Sequence, residues 1–310
     1  MSSDRQEETR VKAEVDSALA LVLTPNIKPS TRDFLQIFYQ KMASVNQVHP
    51  LFAWSSWIGV TKKEYLSLLP ALALASRMLT WPATTNFISS LIYCPTTIRM
   101  DSKGKPRRQV RLLCSDPERP LDDEAQKRFD EALLRLVPYV RLTSSSLSAN
   151  KYAEAVAEDP IEGWSPGVHS RIELNQKHIN ETIPADNTIH KLLLCYRELA
   201  QTLVHELMHV IGYAMSGPKD GERFLVGQKF AENGFAWEVV AMGGIVELKD
   251  RHENFDMKLQ LKEINVAELV KAYKDISFPI SSPGGPRGMF IRDISGLEVM
   301  AEFNELYTAL

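Results

Sequence analysis

The spacing of hydrophobic residues along this chain predicts a mainly helical protein. Apolar residues recur at helical intervals in four segments of the first half, namely 34–42, 62–78, 83–93 and 122–136. Thr31 can cap the first of these helices, and Pro70 is expected to kink or split the second. A longer helix is predicted to begin near residues 186–188 and to run to Met215. The sequence Ser-Gly-Pro directly after Met215 is a stop signal.

Other segments follow different patterns. Two short apolar runs around a Gly/Pro turn, 96–100 and 109–114, predict a β-hairpin. Residues 170–175 alternate between polar and apolar, which predicts a strand with one exposed face. A short helix is expected at 151–158. Further helices are predicted in three segments of the last third: from about 228 to 242, 266–274 and 296–310.

Bulk composition excludes several classes of function. The chain has 310 residues, of which 44% are hydrophobic and 24% charged, with a net charge of -3. We therefore expect neither a nucleic-acid partner nor a membrane partner. The basic residues of the hairpin allow two interpretations, a nucleic-acid or nuclear-import patch and a solvated hairpin tip, and the second is favoured. The N-terminus has no apolar signal segment, and the three scattered cysteines form no C-x-x-C motif, so a cytoplasmic location is expected.

The chemistry of the chain is concentrated in the sequence His205-Glu206-Leu207-Met208-His209. On a helix, residues four apart lie one turn above each other, with Cβ atoms about 5–6 Å apart. Two imidazoles at that spacing can share one metal ion, and Glu206 can act as a base on a metal-bound water. Uncharged residues flank the pair, so the helix is expected to be buried, where unpaired imidazoles would be costly. The alternative is a core helix whose histidines only bond to their neighbours.

The run Thr202–Ile211, TLVHELMHVI, resembles the active-site helix of the zincin metallopeptidases. The resemblance implies a zinc ion held by His205 and His209, with Glu206 as general base and proton shuttle. The metzincin branch continues as His-x-x-Gly-x-x-His, and this chain has Gly212 but Met215 at those positions. A thioether is a poor zinc ligand, so the metzincin branch is excluded and Gly212 is interpreted as a packing or bend glycine.

The gluzincin branch takes its third ligand from a glutamate on a downstream helix. Residues 231–238, AENGFAWE, resemble the Asn-Glu-Gly-Phe-Ala run of aminopeptidase-type gluzincins, with Asn and Glu exchanged. Glu232 is the preferred third ligand and Glu238 the alternative. Because six residues separate them by about 120° around a helix, the other one is expected to orient a ligand histidine. His169 and His252 are weaker competitors.

The predicted fold class is therefore α+β and mainly helical. A helical N-terminal region, 1–92, is expected to precede a two-lobed zincin-like catalytic domain, 93–310, or to be continuous with it. The predicted function is zinc-dependent hydrolysis of peptide bonds. The resemblance to zincins implies that the strand at 170–175 is the edge that binds an extended peptide. Four residues are candidates for stabilising the oxyanion: Tyr213, Tyr196, His169 and Arg223. Two alternatives stay open, a zinc enzyme acting on a small molecule and a metal-binding protein without turnover.

Overall fold

The computed structural model describes most of the chain between residues 48 and 248. The described ranges are 48–100, 106–148, 151–164, 167–183, 189–217, 222–226, 232–248 and 291–294, with single helical positions at 17, 20, 32, 35 and 36. The helices predicted at 266–274 and 296–310 lie outside these residues. Of the helix predicted at 34–42, positions 35 and 36 are described and helical, and Leu35 is buried.

The protein is mostly helical and belongs to the α+β class, as predicted. Its described helices are α1 (Lys62–Leu79), α2 (Pro82–Tyr93), α3 (Asp123–Leu136), α4 (Gln176–Glu181), α5 (Ile189–Ser216) and α6 (Asn233–Met242). Thr61 and Glu64 form a capping box at the start of α1. Pro70 lies inside α1 without splitting it. Helix α5 ends at Ser216, and Gly217 follows with a left-handed backbone at φ 69° that favours glycine, so the predicted stop is confirmed.

A mixed four-stranded sheet packs against α5. Its order is β1 (Trp57–Ile58), β4 (Val140–Ser145), β6 (Val168–Asn175) and β5 (Ala153–Pro160). Strands β1, β4 and β6 are parallel, whereas β5 is antiparallel to β6 and forms one edge. Two predictions are wrong here. The helix predicted at 151–158 is instead largely strand β5, because pairing with β6 overrides the helix-favouring composition of this segment. The strand predicted as an edge at 170–175 lies inside the sheet, between β4 and β5.

Smaller sheets complete the described fold. The predicted hairpin is confirmed as β2 (Thr97–Met100) and β3 (Pro106–Val110), which pair in antiparallel register. Strand β7 (Phe224–Leu225) pairs in parallel with β3. Strands β8 (Ile245–Leu248) and β9 (Ile291–Ile294) form a separate parallel pair.

Helix α5 runs through the centre of the hydrophobic core and contacts α1, α2, α6, β5 and β6. Residues from α1 and β1 belong to the same core, so the described part of the region 1–92 packs directly behind the site helix. A domain boundary at residue 92 stays a prediction. Among the described helices, none is long and apolar enough to cross a membrane.

The contact between α4 and α5 contains a carboxyl group that titrates in an unusual range. Burial, with a contribution from the nearby charge of Glu181, raises the pKa of Glu198 to about 8. In the unfolded chain this carboxyl ionises near its ordinary pKa, so the unfolded state loses the proton first as pH rises. The free energy of unfolding is therefore expected to fall between about pH 4.5 and pH 8, by up to about 1.4 kcal/mol per pH unit. Glu198→Gln should flatten this slope in urea unfolding, and Glu131→Gln on exposed α3 should not; equal slopes in all three proteins would contradict the assignment.

Candidate metal centre

The two histidines of the motif lie one turn apart on α5, with ring centroids 5.3 Å from each other. The residues between and beside them are apolar and fully buried, as the sequence predicted: Leu203, Val204, Leu207 and Met208. Burial of these neighbours against the core fixes the rotation of α5. The helix therefore presents both imidazoles on one side, toward the start of α6.

Glu232 meets both imidazoles from the opposite side. Its Oε1 atom is 2.6 Å from His209 Nε2 and 3.2 Å from His205 Nε2. One ligand atom from each of the three residues lies within 4.8 Å of the others. Glu232 is the N-cap of α6, just outside the helix expected to contain it, and accepts hydrogen bonds from the backbone N–H groups of Gly234 and Phe235. The cap holds the carboxylate in a fixed direction, and the structure brings together the three residues predicted as metal ligands.

The outer nitrogens of the two rings have carboxylate partners of their own. His205 Nδ1 lies 2.7 Å from Glu238 Oε1, and His209 Nδ1 contacts Glu222. With Nδ1 directed outward, both Nε2 atoms are directed to the same point near Glu232. This carboxylate–histidine arrangement fixes ring orientation and tautomer in metal sites and raises the basicity of the ligand nitrogen. Glu238 therefore lies behind His205, in the orienting position that the sequence left open for it.

Glu222 was not found from the sequence. It lies in the polar connection between α5 and α6, where no periodicity or motif distinguishes it from a surface glutamate. Its second oxygen accepts a hydrogen bond from the backbone N–H of Asn233, 2.7 Å away. One carboxylate therefore joins His209 on α5 to the first residue of α6, next to Glu232.

Two glycines allow α5 and α6 to approach this closely. A Cβ atom added to Gly234 would overlap the imidazole ring of His205. A Cβ atom on Gly212 would lie 2.8 Å from Asn233 Nδ2. At both positions, neighbouring atoms leave no room for a Cβ atom. The packing interpretation of Gly212 is confirmed, and Gly234 closes the site around His205.

The electrostatics of the cluster favour a cation. Burial alone would lower the pKa of both imidazoles, but hydrogen bonds and charges from Glu232 and Glu238 raise the pKa of His205 to about 9. Glu222 and Glu232 likewise raise the pKa of His209 to about 10. Burial opposes ionisation of Glu232, yet its bonds to both histidines hold its pKa well below the usual range. A dication that replaces the two imidazole protons leaves the total charge unchanged, so the donor set fits a divalent ion.

Glu206 lies beside this cluster and faces the edge strand of the sheet. Its Oε2 atom accepts a hydrogen bond from the backbone N–H of Ala155 on β5, 2.7 Å away. Burial raises the pKa of Glu206, while the two histidines lower it. Tyr213 reaches the same strand, with its hydroxyl 3.4 Å from the carbonyl oxygen of Ala155. The acid–base candidate and a tyrosine therefore contact the same residue of β5.

The other candidate residues lie elsewhere. His169 is on β6 with its ring against Tyr139. Tyr196 is buried and donates to the carbonyl of Thr182, and Arg223 donates to Ser216 and to backbone carbonyls. His252 lies outside the described residues. Of the four residues proposed for the oxyanion, Tyr213 is the one whose described contacts place it beside Glu206.

No model of a known protein family, no curated protein and no solved structure matches this chain.

The two outer carboxylates give a prediction that separates orientation from ligation. Glu222→Gln and Glu238→Gln are each expected to weaken metal binding by about 10–100-fold, because the imidazoles lose the partners that fix them. The measurement is competition with a metal chelator of known affinity. Glu131→Gln on α3 is the matched control and should retain wild-type affinity. Wild-type affinity in both outer variants would show that these contacts do not orient the ligands.

Proposed function

We propose that this protein is a zinc-dependent metallopeptidase of gluzincin type. The observation that carries the proposal is the position of Glu206, which lies beside the His205–His209–Glu232 group and bonds to the edge strand β5. Three protein ligands with a carboxylate at their side are typical of catalytic zinc sites, whereas structural sites have four. Zinc is favoured by the donor set of two imidazole nitrogens and one carboxylate oxygen.

The chain's own residues have distinct roles in this proposal. His205, His209 and Glu232 would hold zinc, which when bound would lower the pKa of a water molecule toward neutrality and polarise a substrate carbonyl. The backbone N–H of Ala155 holds Oε2 of Glu206, which leaves Oε1 to accept a proton from the attacking water. Glu206 then donates that proton to the leaving amine. The Tyr213 hydroxyl, on the same side of the site, is the proposed donor to the oxyanion.

The substrate is proposed to bind along β5. The outer edge of this strand faces the site, because both backbone groups of Ala155 are directed away from β6 and toward Glu206 and Tyr213. Two residues further along the strand, Ala157 has the same backbone direction. An extended peptide can add to this edge as a further strand, which would place its backbone next to the metal group.

A zinc enzyme acting on a small molecule is the second candidate. It is favoured by the two hydrogen bonds that already engage Ala155, the part of the edge nearest Glu206. A small substrate would need only the metal group, Glu206 and Tyr213, without pairing to β5.

Digestion of a diverse peptide library distinguishes the two candidates. The zinc-loaded protein is expected to cleave a subset of peptides, detected by mass spectrometry as new termini. Cleavage should stop on addition of a chelator and return on addition of zinc. An Ala157→Pro variant, which lacks the backbone N–H at that position, should bind zinc normally and cleave peptides more slowly. A library left intact by zinc-loaded protein would overturn the peptidase proposal and favour the small-molecule candidate.

A further inference from the structure

We propose that the β2–β3 hairpin is a docking surface for an extended acidic polypeptide, which adds a strand to the outer edge of β2. If this surface selects substrates for cleavage, that role rests on the proposed peptidase function. The binding of an acidic polypeptide to the surface does not depend on that function.

Strand β2 has the features of an edge that lacks its partner. All four of its residues are exposed, and two are large and apolar, with Ile98 70% and Met100 64% exposed. Strand β2 is the end strand of the order β2-β3-β7, and no described strand pairs with its outer side. Exposed apolar residues on a free edge favour pairing with another chain, and folded proteins normally protect such an edge.

The charge of the hairpin indicates the kind of partner. The described residues 97–100 and 106–115 contain four arginines and no acidic residue, in a chain with a net charge of -3. Arg99 and Arg107 occupy paired positions of the register, so arginine is present on both strands. An acidic partner would complement the positive charge of these residues.

An extended peptide fits both features at once. Successive side chains of a strand point to opposite faces, so Ile98 and Met100 share one face of β2 and Arg99 lies on the other. A partner strand that alternates acidic and apolar residues matches both faces and pairs with the backbone of β2. Nucleic acid would neutralise the arginines but leave Ile98 and Met100 exposed. A second copy of the same edge would bring like charges together.

The hairpin is also linked to the metal group. Strand β3 pairs with β7, which begins two residues after Glu222, the partner of His209. Neighbouring strands are about 4.8 Å apart, so a strand added beside β2 would lie about 14 Å from β7. An extended chain covers that distance in about four or five residues. We therefore expect the acidic segment of a substrate to be a separate stretch from the residues at the metal group.

Fluorescence anisotropy with a labelled eight-residue peptide of alternating Glu and Val tests the surface directly. The full chain is measured in the presence of a metal chelator, so that the peptide is bound but not cleaved. We expect saturable binding that weakens with added salt and falls at least tenfold in Arg99→Glu and in the double variant Ile98→Ser, Met100→Ser. Lys127→Glu on exposed α3 is the matched charge control and should bind like the wild type.

Three results would overturn the proposal. One is equal binding of a peptide with Lys in place of Glu, and another is equal binding of a peptide with Pro at alternate positions, which cannot pair with a strand. The third is that Arg99→Glu leaves peptide binding unchanged. Stronger binding to single-stranded DNA or to vesicles of anionic lipid would assign the surface to those partners instead.

A cleavage experiment distinguishes failure of this inference from failure of the proposed function. Zinc-loaded wild type and Arg99→Glu are compared on paired substrates with and without an acidic segment. Loss of preference for the acidic substrate in Arg99→Glu, with cleavage of the neutral substrate unchanged, supports the selecting role. If no protein cleaves any substrate, the peptidase proposal fails and the anisotropy result stands on its own. If neutral and acidic substrates are cleaved equally by wild type, the selecting role fails alone.

Discussion

Replacing His205 with alanine is expected to reduce bound zinc from about one ion per chain to a trace, because one of three protein ligands is lost. His209 and Glu232 alone would hold the ion with fewer bonds. The imidazole ring of His205, which lies between Gly234 and Glu238, would also be missing from the site. Zinc affinity should fall by more than the factor of about 10–100 that is expected when an orienting carboxylate is replaced. Metal analysis after exhaustive dialysis and chelator competition measures both quantities.

Glu232→Gln is a second test of the metal centre, because Glu232 is the ligand on which the proposed gluzincin-type function depends. The amide keeps one oxygen, so the capping bond from the backbone N–H of Phe235 to Oε2 can persist. The oxygen that is replaced, Oε1, is the one that faces both Nε2 atoms and accepts from the backbone N–H of Gly234. Zinc affinity is therefore expected to fall further in Glu232→Gln than in Glu238→Gln, with far-ultraviolet circular dichroism unchanged in both. The reverse order would make Glu238 the ligand, and zinc absent from the wild type would refute the metal centre altogether.

The positions of His205, Glu206 and His209 could be predicted because they are local. A four-residue spacing on a helix sets the distance between His205 and His209, whatever the rest of the fold does. The apolar residues around them then determine which side of α5 is buried. These features depend on the periodicity of one helix, which a sequence displays directly.

Glu222 and β5 could not be predicted, because they depend on contacts between distant segments. Glu222 faces His209 because the described residues 222–226 lie beside the end of α5, where Arg223 bonds to Met215 and Ser216. The segment 153–160 has alanine and glutamate at positions typical of a helix, and its pairing with β6 decides otherwise. Assigning the edge to 170–175 was wrong for the same reason, since a sequence shows an alternating strand but not how many neighbours it has.

The largest expected effect on activity comes from Glu206→Gln. Glutamine has nearly the shape of glutamate and keeps an oxygen that can accept the hydrogen bond from Ala155 N–H. It cannot accept a proton from water near neutral pH, so the proton shuttle is lost. Turnover of any cleaved substrate is expected to fall by about 10²–10⁴-fold, the contribution typical of a general base. Zinc content and substrate KM should change little, because Glu206 is not among the three ligands.

The matched control for this variant is Tyr213→Phe, which removes a hydroxyl from the other side of Ala155. If Glu206 acted only by holding β5 in place, Glu206→Gln would keep its bond to Ala155 and lose less activity than Tyr213→Phe, which loses its bond. A general base gives a different result: Glu206→Gln loses turnover with β5 intact, as judged by amide exchange at Ala155. Tyr213→Phe should retain more activity, because the metal also stabilises the oxyanion. Full activity in zinc-loaded Glu206→Gln would contradict the base assignment and leave a metal-binding protein whose carboxylate only supports the edge strand.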